Sequence, residues 1–176
     1  MKKIIASLLF SAAFLSGTAQ IQRKLSAYVS ALYSETLYDR TIGNNQRGIG
    51  AGLQMFYNNK TNFKPAIELT ATFSLEDDKV YRVNADGTEM PSASAMVNLF
   101  AGMAFSPVKN VEVSFVAGPS FINSQTLLGI KPSLSLYFGK NKKWITKASF
   151  INIYNRDKAT REDFGTVSFA IAHKLF

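Results

Sequence analysis

Apolar and polar residues alternate with a period of two along most of this chain, and that pattern restricts its fold more than any other feature. Segment 63–76 is the clearest case, because its odd positions are mostly aliphatic or aromatic and its even positions are mostly small, hydroxyl-bearing or charged. Successive side chains of a β-strand point to opposite faces, so the segment predicts a strand with one oily face and one polar face. The pattern recurs in eight segments, which are 25–37, 47–57, 63–76, 93–105, 111–121, 127–139, 143–154 and 164–176.

The lengths and spacing of these segments predict how the strands are arranged. Each is about as long as the roughly 9–11 residues that a tilted strand needs to cross a bilayer. Short, turn-like connections alternate with longer ones. The connection 123–126 is an exception, because it is short but belongs to the end of the barrel with the longer connections. Short turns at one end and long loops at the other are typical of outer-membrane barrels. We therefore predict an all-β, eight-stranded antiparallel up-and-down transmembrane β-barrel.

The N-terminal residues differ in composition from the rest. Lys2 and Lys3 precede an apolar stretch over 4–15, and Gly17, Thr18 and Ala19 follow as small residues. This order is typical of a cleaved secretory signal peptide. We predict a signal peptide over 1–19 and a barrel domain over 20–176, exported to the outer membrane of a Gram-negative cell.

Composition excludes several kinds of chemistry. The chain has no cysteine and one histidine, so disulfides, thiolate metal sites, cysteine nucleophiles and histidine-rich zinc sites are not expected. It also lacks the glycine-rich motifs that bind nucleotide phosphates. The formal charge of +8 would attract nucleic acid, but an exported protein has no opportunity to meet it. Nucleic acid is therefore not expected as a partner. We predict no cofactor, no metal and no catalytic residues.

The direction of the apolar faces separates two fold classes. In a soluble lipocalin-like barrel or β-sandwich the apolar face points inward, whereas in a membrane barrel it points to lipid. Here the polar faces carry mainly Ser, Gly, Thr and Ala, which suits a narrow lumen better than a solvated surface. Aromatic residues of the apolar faces gather near the strand ends, as in the interfacial belts of membrane proteins. This predicted belt comprises Tyr57, Phe63, Phe105, Phe138 and Trp144 beside the short turns and Tyr33, Phe73, Phe121 and Tyr154 at the opposite ends.

An exported chain with eight predicted strands and a terminal Phe176 resembles the small outer-membrane β-barrel proteins, such as the barrel domain of outer-membrane protein A and the outer-membrane protein X type. The resemblance is architectural and rests on no diagnostic motif. It implies recognition of Phe176 as a C-terminal signal by the barrel assembly machinery. The residues before it depart from the usual signal, because Lys174 and Ala172 stand where large apolar side chains are common.

Four charged residues lie on the polar faces of their strands, namely Glu68, Glu112, Lys131 and Lys147. An unpaired charge in a narrow lumen is costly, so we expect these four to form one packed network, aided by Gln54, Asn98 and serines. Such a network either plugs the lumen or gates a narrow channel. The interior of an eight-stranded barrel is just wide enough for side chains, which favours the plug.

Two further features bear on function. His173 could serve as the base of a lipid A-modifying barrel enzyme, but Ser168 has the opposite strand parity and should face the other side of the sheet. The long connections 77–91 and 155–163 carry mixed charges that suit contact with lipopolysaccharide phosphates or a surface partner. We predict a monomeric, non-enzymatic barrel among outer-membrane lipids and lipopolysaccharide, with a structural or surface-interaction role.

Overall fold

The computed structural model describes residues 24–38, 47–75, 95–122, 125–155 and 163–176. Within these ranges the chain forms β1 (Leu25–Tyr38), β2 (Arg47–Tyr57), β3 (Phe63–Leu75), β4 (Ala95–Val108), β5 (Val111–Ile122), β6 (Gln125–Phe138), β7 (Trp144–Ile153) and β8 (Phe164–Lys174), with a short 3₁₀ turn at Lys140–Lys142 before β7. Among these described residues, no helix is long and apolar enough to cross a membrane. The predicted signal peptide and most of the charged long connections lie outside the described residues.

The strands form a closed antiparallel barrel in which each pairs with its neighbours in sequence and β8 pairs with β1. Closure leaves no strand edge with unpaired backbone groups, which every structure inside a hydrocarbon layer must achieve. The strand bounds differ from the predicted ones by at most three residues at either end. The predicted fold class is thereby confirmed.

The apolar faces of the strands point outward. Large hydrophobic side chains on all of the strands are exposed, among them Val29, Leu53, Leu69, Leu99, Phe115, Leu134, Trp144 and Phe169. The side chains of opposite parity are buried inside, including Glu68, Thr70, Ser114, Lys131 and Ser149. This arrangement excludes the lipocalin-like alternative, because that fold would bury the apolar set instead.

The lumen also holds large apolar side chains that the expected small, polar interior did not include. Tyr28, Phe56, Phe100 and Ile145 are buried on the inner face. The Tyr28 ring packs edge-on against Phe56 and Tyr137, with ring centroids 6.0 Å and 6.1 Å apart. Gly129 leaves space for Phe100, since a Cβ there would lie 2.8 Å from the ring. At this level a small residue on one strand therefore accommodates a large ring from another strand.

Strand β7 was the least regular in sequence, with Ile151 and Asn152 breaking its alternation. In the structure its register against β8 is continuous, and Ile151 is buried in the lumen. Asn152 has outward parity but is buried, because the Tyr38 hydroxyl donates to its Oδ1 and its Nδ2 donates to Asp163 Oδ2 over 3.1 Å. The break in the pattern therefore marks a polar cluster on the outer face at the loop end.

The same cluster explains one glycine. A register shift between Thr36 and Tyr38 brings Tyr38 opposite Gly165 of β8. The Tyr38 ring lies over Gly165 so closely that a Cβ there would be 2.2 Å from it. Only glycine allows the ring to cross β8 and reach Asn152 on β7. The Tyr38 ring thus covers the backbone of Gly165, which has no side chain of its own, at the loop end of the barrel.

Candidate functional site in the barrel lumen

Three of the four predicted lumen charges meet at the centre of the barrel. Glu68 extends from the middle of β3, Lys131 from β6 and Lys147 from β7. Lys131 Nζ donates to Glu68 Oε1, and Lys147 Nζ lies 2.6 Å from Glu68 Oε2. All three residues are at most 7% exposed. We call this group the central triad.

The central triad combines two cations with one anion in a space that holds almost no solvent. The cavity beside it measures about 10 Å³, enough for about one water molecule. Gln54 lines the same cavity, and its Nε2 has no hydrogen-bond partner among the residues that the structure describes. Because a buried ion is stable only when it is paired, both lysines depend on Glu68. Among the described residues, the triad therefore leaves little free space at its level of the lumen.

The fourth predicted charge, Glu112, belongs to a separate group. It is fully buried near the short-turn end of β5. Tyr137 donates to its Oε1 over 2.8 Å, and Lys64 Nζ and Ser106 Oγ lie 3.3 Å and 3.4 Å from its Oε2. We call these residues the turn-side cluster.

The expectation of a single four-residue network is therefore wrong. Lys131 lies opposite Val116 of β5, four residues along the strand from Glu112. At about 3.3 Å per residue this offset is about 13 Å, which is too far for the two side chains to pair directly. Strand parity identified four charges that enter the lumen but not their height along its axis.

Neutral polar groups fill the space between the charged groups. Asn98 Nδ2 donates to Thr70 Oγ1 over 3.1 Å. Ser106 contacts a lumen carboxylate, whereas the buried hydroxyls of Ser114, Ser120 and Ser133 have no hydrogen-bond partner among the described residues. The expected contribution of the lumen serines is therefore seen at Ser106 but not at these three. Within the described residues, no group of three or more acidic or histidine side chains is arranged to hold a metal ion.

Sequence reasoning missed Tyr137 and Lys64 as partners of a lumen carboxylate. A signal for each was present. Tyr137 continues the inward parity of Lys131 on β6, and Lys64 shares the parity of Glu68 on β3. An inward tyrosine or lysine next to a short turn indicates a polar partner at the barrel mouth, because a buried hydroxyl or ammonium needs one.

The Tyr137 hydroxyl should stabilise the barrel through Glu112. We expect Tyr137→Phe to lower the free energy of unfolding by about 1.5–3 kcal/mol, since it removes a hydrogen bond to a buried carboxylate. Tyr57→Phe is the matched control, because Tyr57 is exposed on the outer face and its change should stay within about 0.5 kcal/mol. Denaturant titration of the barrel in detergent micelles measures both, and equal losses in the two variants would contradict the role of Tyr137.

The structure places the predicted aromatic belt residues on the outer face. Eight of them are exposed, and Tyr154, just after β7, is half-buried. At the turn end Phe63 stacks on Phe105 at 4.7 Å, and Phe138 stacks on Trp144 at 6.5 Å. Near the loop end Tyr33 and Phe73 flank Ile49 on adjacent strands. The rings therefore lie towards both ends of the outer surface.

Ser168 and His173 lie on opposite faces of the sheet, as their parity predicts. Ser168 is buried in the lumen, while the His173 ring packs against Trp144 at 4.6 Å between ring centroids. The two side chains cannot act on one bound substrate. Phe176 follows β8, and its carbonyl accepts a hydrogen bond from the Ala27 amide over 3.3 Å while its side chain stays exposed.

Comparisons with known proteins bear on the fold. No protein family model matches the chain, and neither does any curated protein sequence. Among solved structures it is similar to Ail, the attachment invasion locus protein of Yersinia pestis, with a TM-score of 0.52, 12% identity and coverage of 86% of this chain and 98% of that one. The barrel is of the small outer-membrane type.

Two further structures support that conclusion. The backbone structure of the Yersinia pestis outer membrane protein Ail in a phospholipid bilayer nanodisc matches with a TM-score of 0.51 and 13% identity, over 85% of this chain and 99% of that one. Neisserial surface protein A matches with a TM-score of 0.50 and 11% identity, over 85% of this chain and 96% of that one. The predicted resemblance to small outer-membrane barrels is confirmed at the level of the fold.

Proposed function

We propose that this protein is an integral outer-membrane β-barrel with a structural or surface-interaction role, without enzymatic activity and with its lumen closed by its own side chains. One observation carries the proposal. The exposed outer face is apolar on every strand, while three charged residues are buried and paired at the centre. This distribution of polarity is stable in a hydrocarbon layer and unfavourable in water.

The height of the outer apolar band supports insertion into a membrane. Phe63 and Phe73 mark its two ends on β3, at positions ten residues apart. That separation is about 33 Å along the strand, and a strand tilt of about 40° reduces it to about 25 Å along the barrel axis. Outer-membrane barrels have an apolar band of about 25 Å between their aromatic girdles. The two rings therefore fit the two interfaces of an outer membrane.

The outer surface also offers a groove suited to lipid chains. It has a volume of about 560 Å³, with small residues such as Ala31 and Ala148 between larger ones such as Leu134 and Phe169. Methylene chains fill an irregular apolar surface of this kind without any polar contact. Outer-membrane lipids and lipopolysaccharide are accordingly the expected neighbours of the barrel.

Fractionation of tagged cells tests the proposed location. We expect the protein in the outer-membrane fraction and expect it to migrate differently on gels before and after heating, because a closed barrel resists unfolding by detergent. Recovery of a folded, freely soluble polypeptide in buffer without detergent would contradict the proposal.

The central triad favours a closed lumen over the alternative, a narrow channel. We expect no steady ionic current when the purified protein is inserted into a planar bilayer, because the free space beside Glu68 holds about one water molecule. A Glu68→Gln, Lys131→Met and Lys147→Met variant, purified in the same way, is the control for contaminating porins. Stable single-channel conductance that depends on Glu68 would instead support the channel.

The placement of Ser168 and His173 argues against the other alternative, a lipid A-modifying enzyme. A general base must lie within hydrogen-bond reach of the group that it activates, and these residues face opposite sides of the sheet. Mass spectrometry of lipid A from cells that express the protein should show no change in acylation. A change in the mass of lipid A that is lost in a His173→Gln variant would contradict the non-enzymatic role.

A surface-interaction role would depend on the loop end of the barrel. The residues 39–46, 76–94 and 156–162 of the long connections lie outside the described residues. One solved structure with the same fold is Ail in complex with the heparin analogue sucrose octasulfate, at 13% identity and a TM-score of 0.50. For this chain we propose contact with lipopolysaccharide phosphates through the mixed charges of the long connections. A monomeric state and recognition of Phe176 by the barrel assembly machinery are part of the same proposal.

A further inference from the structure

A further cavity opens at the end of the barrel where the short turns lie. Its volume is about 220 Å³, far larger than the space beside the central triad. Lys64, Lys142 and Lys174 line it, together with the amide-bearing Asn58 and Asn141. These residues come from β3, β8 and two different turns, so the cavity exists only in the closed barrel. We call it the turn-side pocket.

Positive charge in the turn-side pocket exceeds the negative charge available to balance it. Glu112 does not line the pocket and is already bound by Lys64 and Tyr137, which do. In the part of the chain that the structure describes, no carboxylate lies within ion-pair distance of Lys142 or Lys174. Lys142 and Lys174 therefore line a polar cavity without an ion-pair partner among the described residues.

The position of Lys142 is held in place by the fold. Its ammonium donates to the carbonyl of Lys109 in the neighbouring turn and lies 5.2 Å from the centre of the Tyr137 ring. Both Asn141 and Lys142 have left-handed backbone conformations, with φ of 60° and 53°. The tight hairpin between β6 and β7 needs this conformation at both residues. The turn and the contact with Lys109 together hold the Lys142 ammonium near the Tyr137 ring.

Burial and neighbouring lysines act against the positive charge of Lys142. Partial burial and the charges of Lys64 and Lys109 lower the pKa of Lys142, and Glu112 offsets only part of that effect. A bound anion would favour the charged ammonium and reverse the shift.

We propose that the turn-side pocket binds a phosphate group through Lys142 and Lys174, with Asn58 and Asn141 at its margin. Ammonium groups form strong charge-assisted hydrogen bonds with phosphate oxygens, and a cavity of 220 Å³ accommodates a phosphate together with an attached small group or water. The phosphate could belong to a lipid headgroup or to a free ion. The site goes beyond the proposed membrane role and does not require it, since the pocket is a feature of the closed barrel.

Calorimetric titration of the purified, folded protein in maltoside micelles tests the proposal, because that detergent carries no phosphate. One titration uses inorganic phosphate against chloride at matched ionic strength, and the other uses micelles that contain phosphatidic acid. We expect saturable binding of at least one probe, weakened about tenfold or more in a Lys142→Gln and Lys174→Gln variant. Saturation by inorganic phosphate indicates a free ion as ligand, and saturation by phosphatidic acid alone indicates a lipid headgroup.

The matched control is a Lys60→Gln and Lys140→Gln variant. Both lysines are exposed at the same end of the barrel and do not line the pocket, so this variant removes equal charge without touching the site. It should bind like the unmodified protein. Equal weakening in both double variants, or no saturation by either probe, would overturn the proposal. Heat-dependent gel mobility shows that each variant is folded, and its membrane fraction shows separately whether the proposed location holds.

Discussion

Replacement of Glu68 by Gln is expected to lower the free energy of unfolding by about 3–5 kcal/mol. Lys131 and Lys147 both donate to the Glu68 carboxylate, and both are almost fully buried. The substitution preserves the size of the side chain but leaves two ammonium groups beside a cavity that has room for about one water molecule. The large effect comes from these uncompensated charges rather than from the lost hydrogen bonds alone.

Two comparison variants isolate this cause. Lys147→Met leaves Glu68 paired one-to-one with Lys131, so its loss should be within about 1 kcal/mol. A triple variant with Gln at 68 and Met at 131 and 147 removes every charge of the central triad and should recover most of the stability lost in Glu68→Gln. Unfolding in denaturant, followed by the fluorescence of Trp144, the single tryptophan, measures all three. A loss below about 1 kcal/mol in Glu68→Gln would show that the triad is solvated and the lumen open.

The second large effect concerns the outer face. Leu99 is exposed in the middle of β4 and pairs with the equally central Leu69 of β3. In a membrane barrel, Leu99→Arg should lower the free energy of unfolding by about 2–4 kcal/mol, because arginine at the bilayer midplane must be transferred out of water. In a soluble barrel an exposed leucine tolerates arginine with almost no change.

Val108→Arg is the matched control for this experiment. Val108 is also exposed but ends β4 beside a short turn, at the level where the membrane interface should lie. Its replacement should change stability by about 0–1 kcal/mol in lipid vesicles. The comparison therefore measures depth in the membrane. Equal effects at the two positions would contradict membrane insertion of the outer face.

Much of the fold could be predicted because strand parity is a local property. The alternation around Leu69 or Leu134 shows which side chains share a face, and the polar set opposite them shows which face suits the interior. The turn residues of 58–62 and 139–142 indicate where strands reverse. Prediction was weakest at Asn152, whose burial depends on Tyr38 from the other end of the chain and on Asp163.

The candidate site was predicted in composition but not in arrangement. Parity correctly assigned Glu68, Lys131 and Lys147 to the lumen, where the structure brings them together. It could not show that Glu112 lies about 13 Å away along β5, since the relative height of two strands depends on register and on the stagger of the closed barrel. The turn-side pocket was not predicted at all, because its lysines are scattered over 64, 142 and 174.

The sequence by itself determined the eight strands, their inner and outer faces and four of the charged residues that enter the lumen. These features follow from the two-residue period of a strand, which depends only on neighbouring residues. Only the tertiary structure decided which charges pair, that large rings such as Phe100 fill the spaces left by small residues such as Gly129, and that three distant lysines share one pocket. Those features depend on closure between β1 and β8, which sets the height of every side chain against those across the lumen.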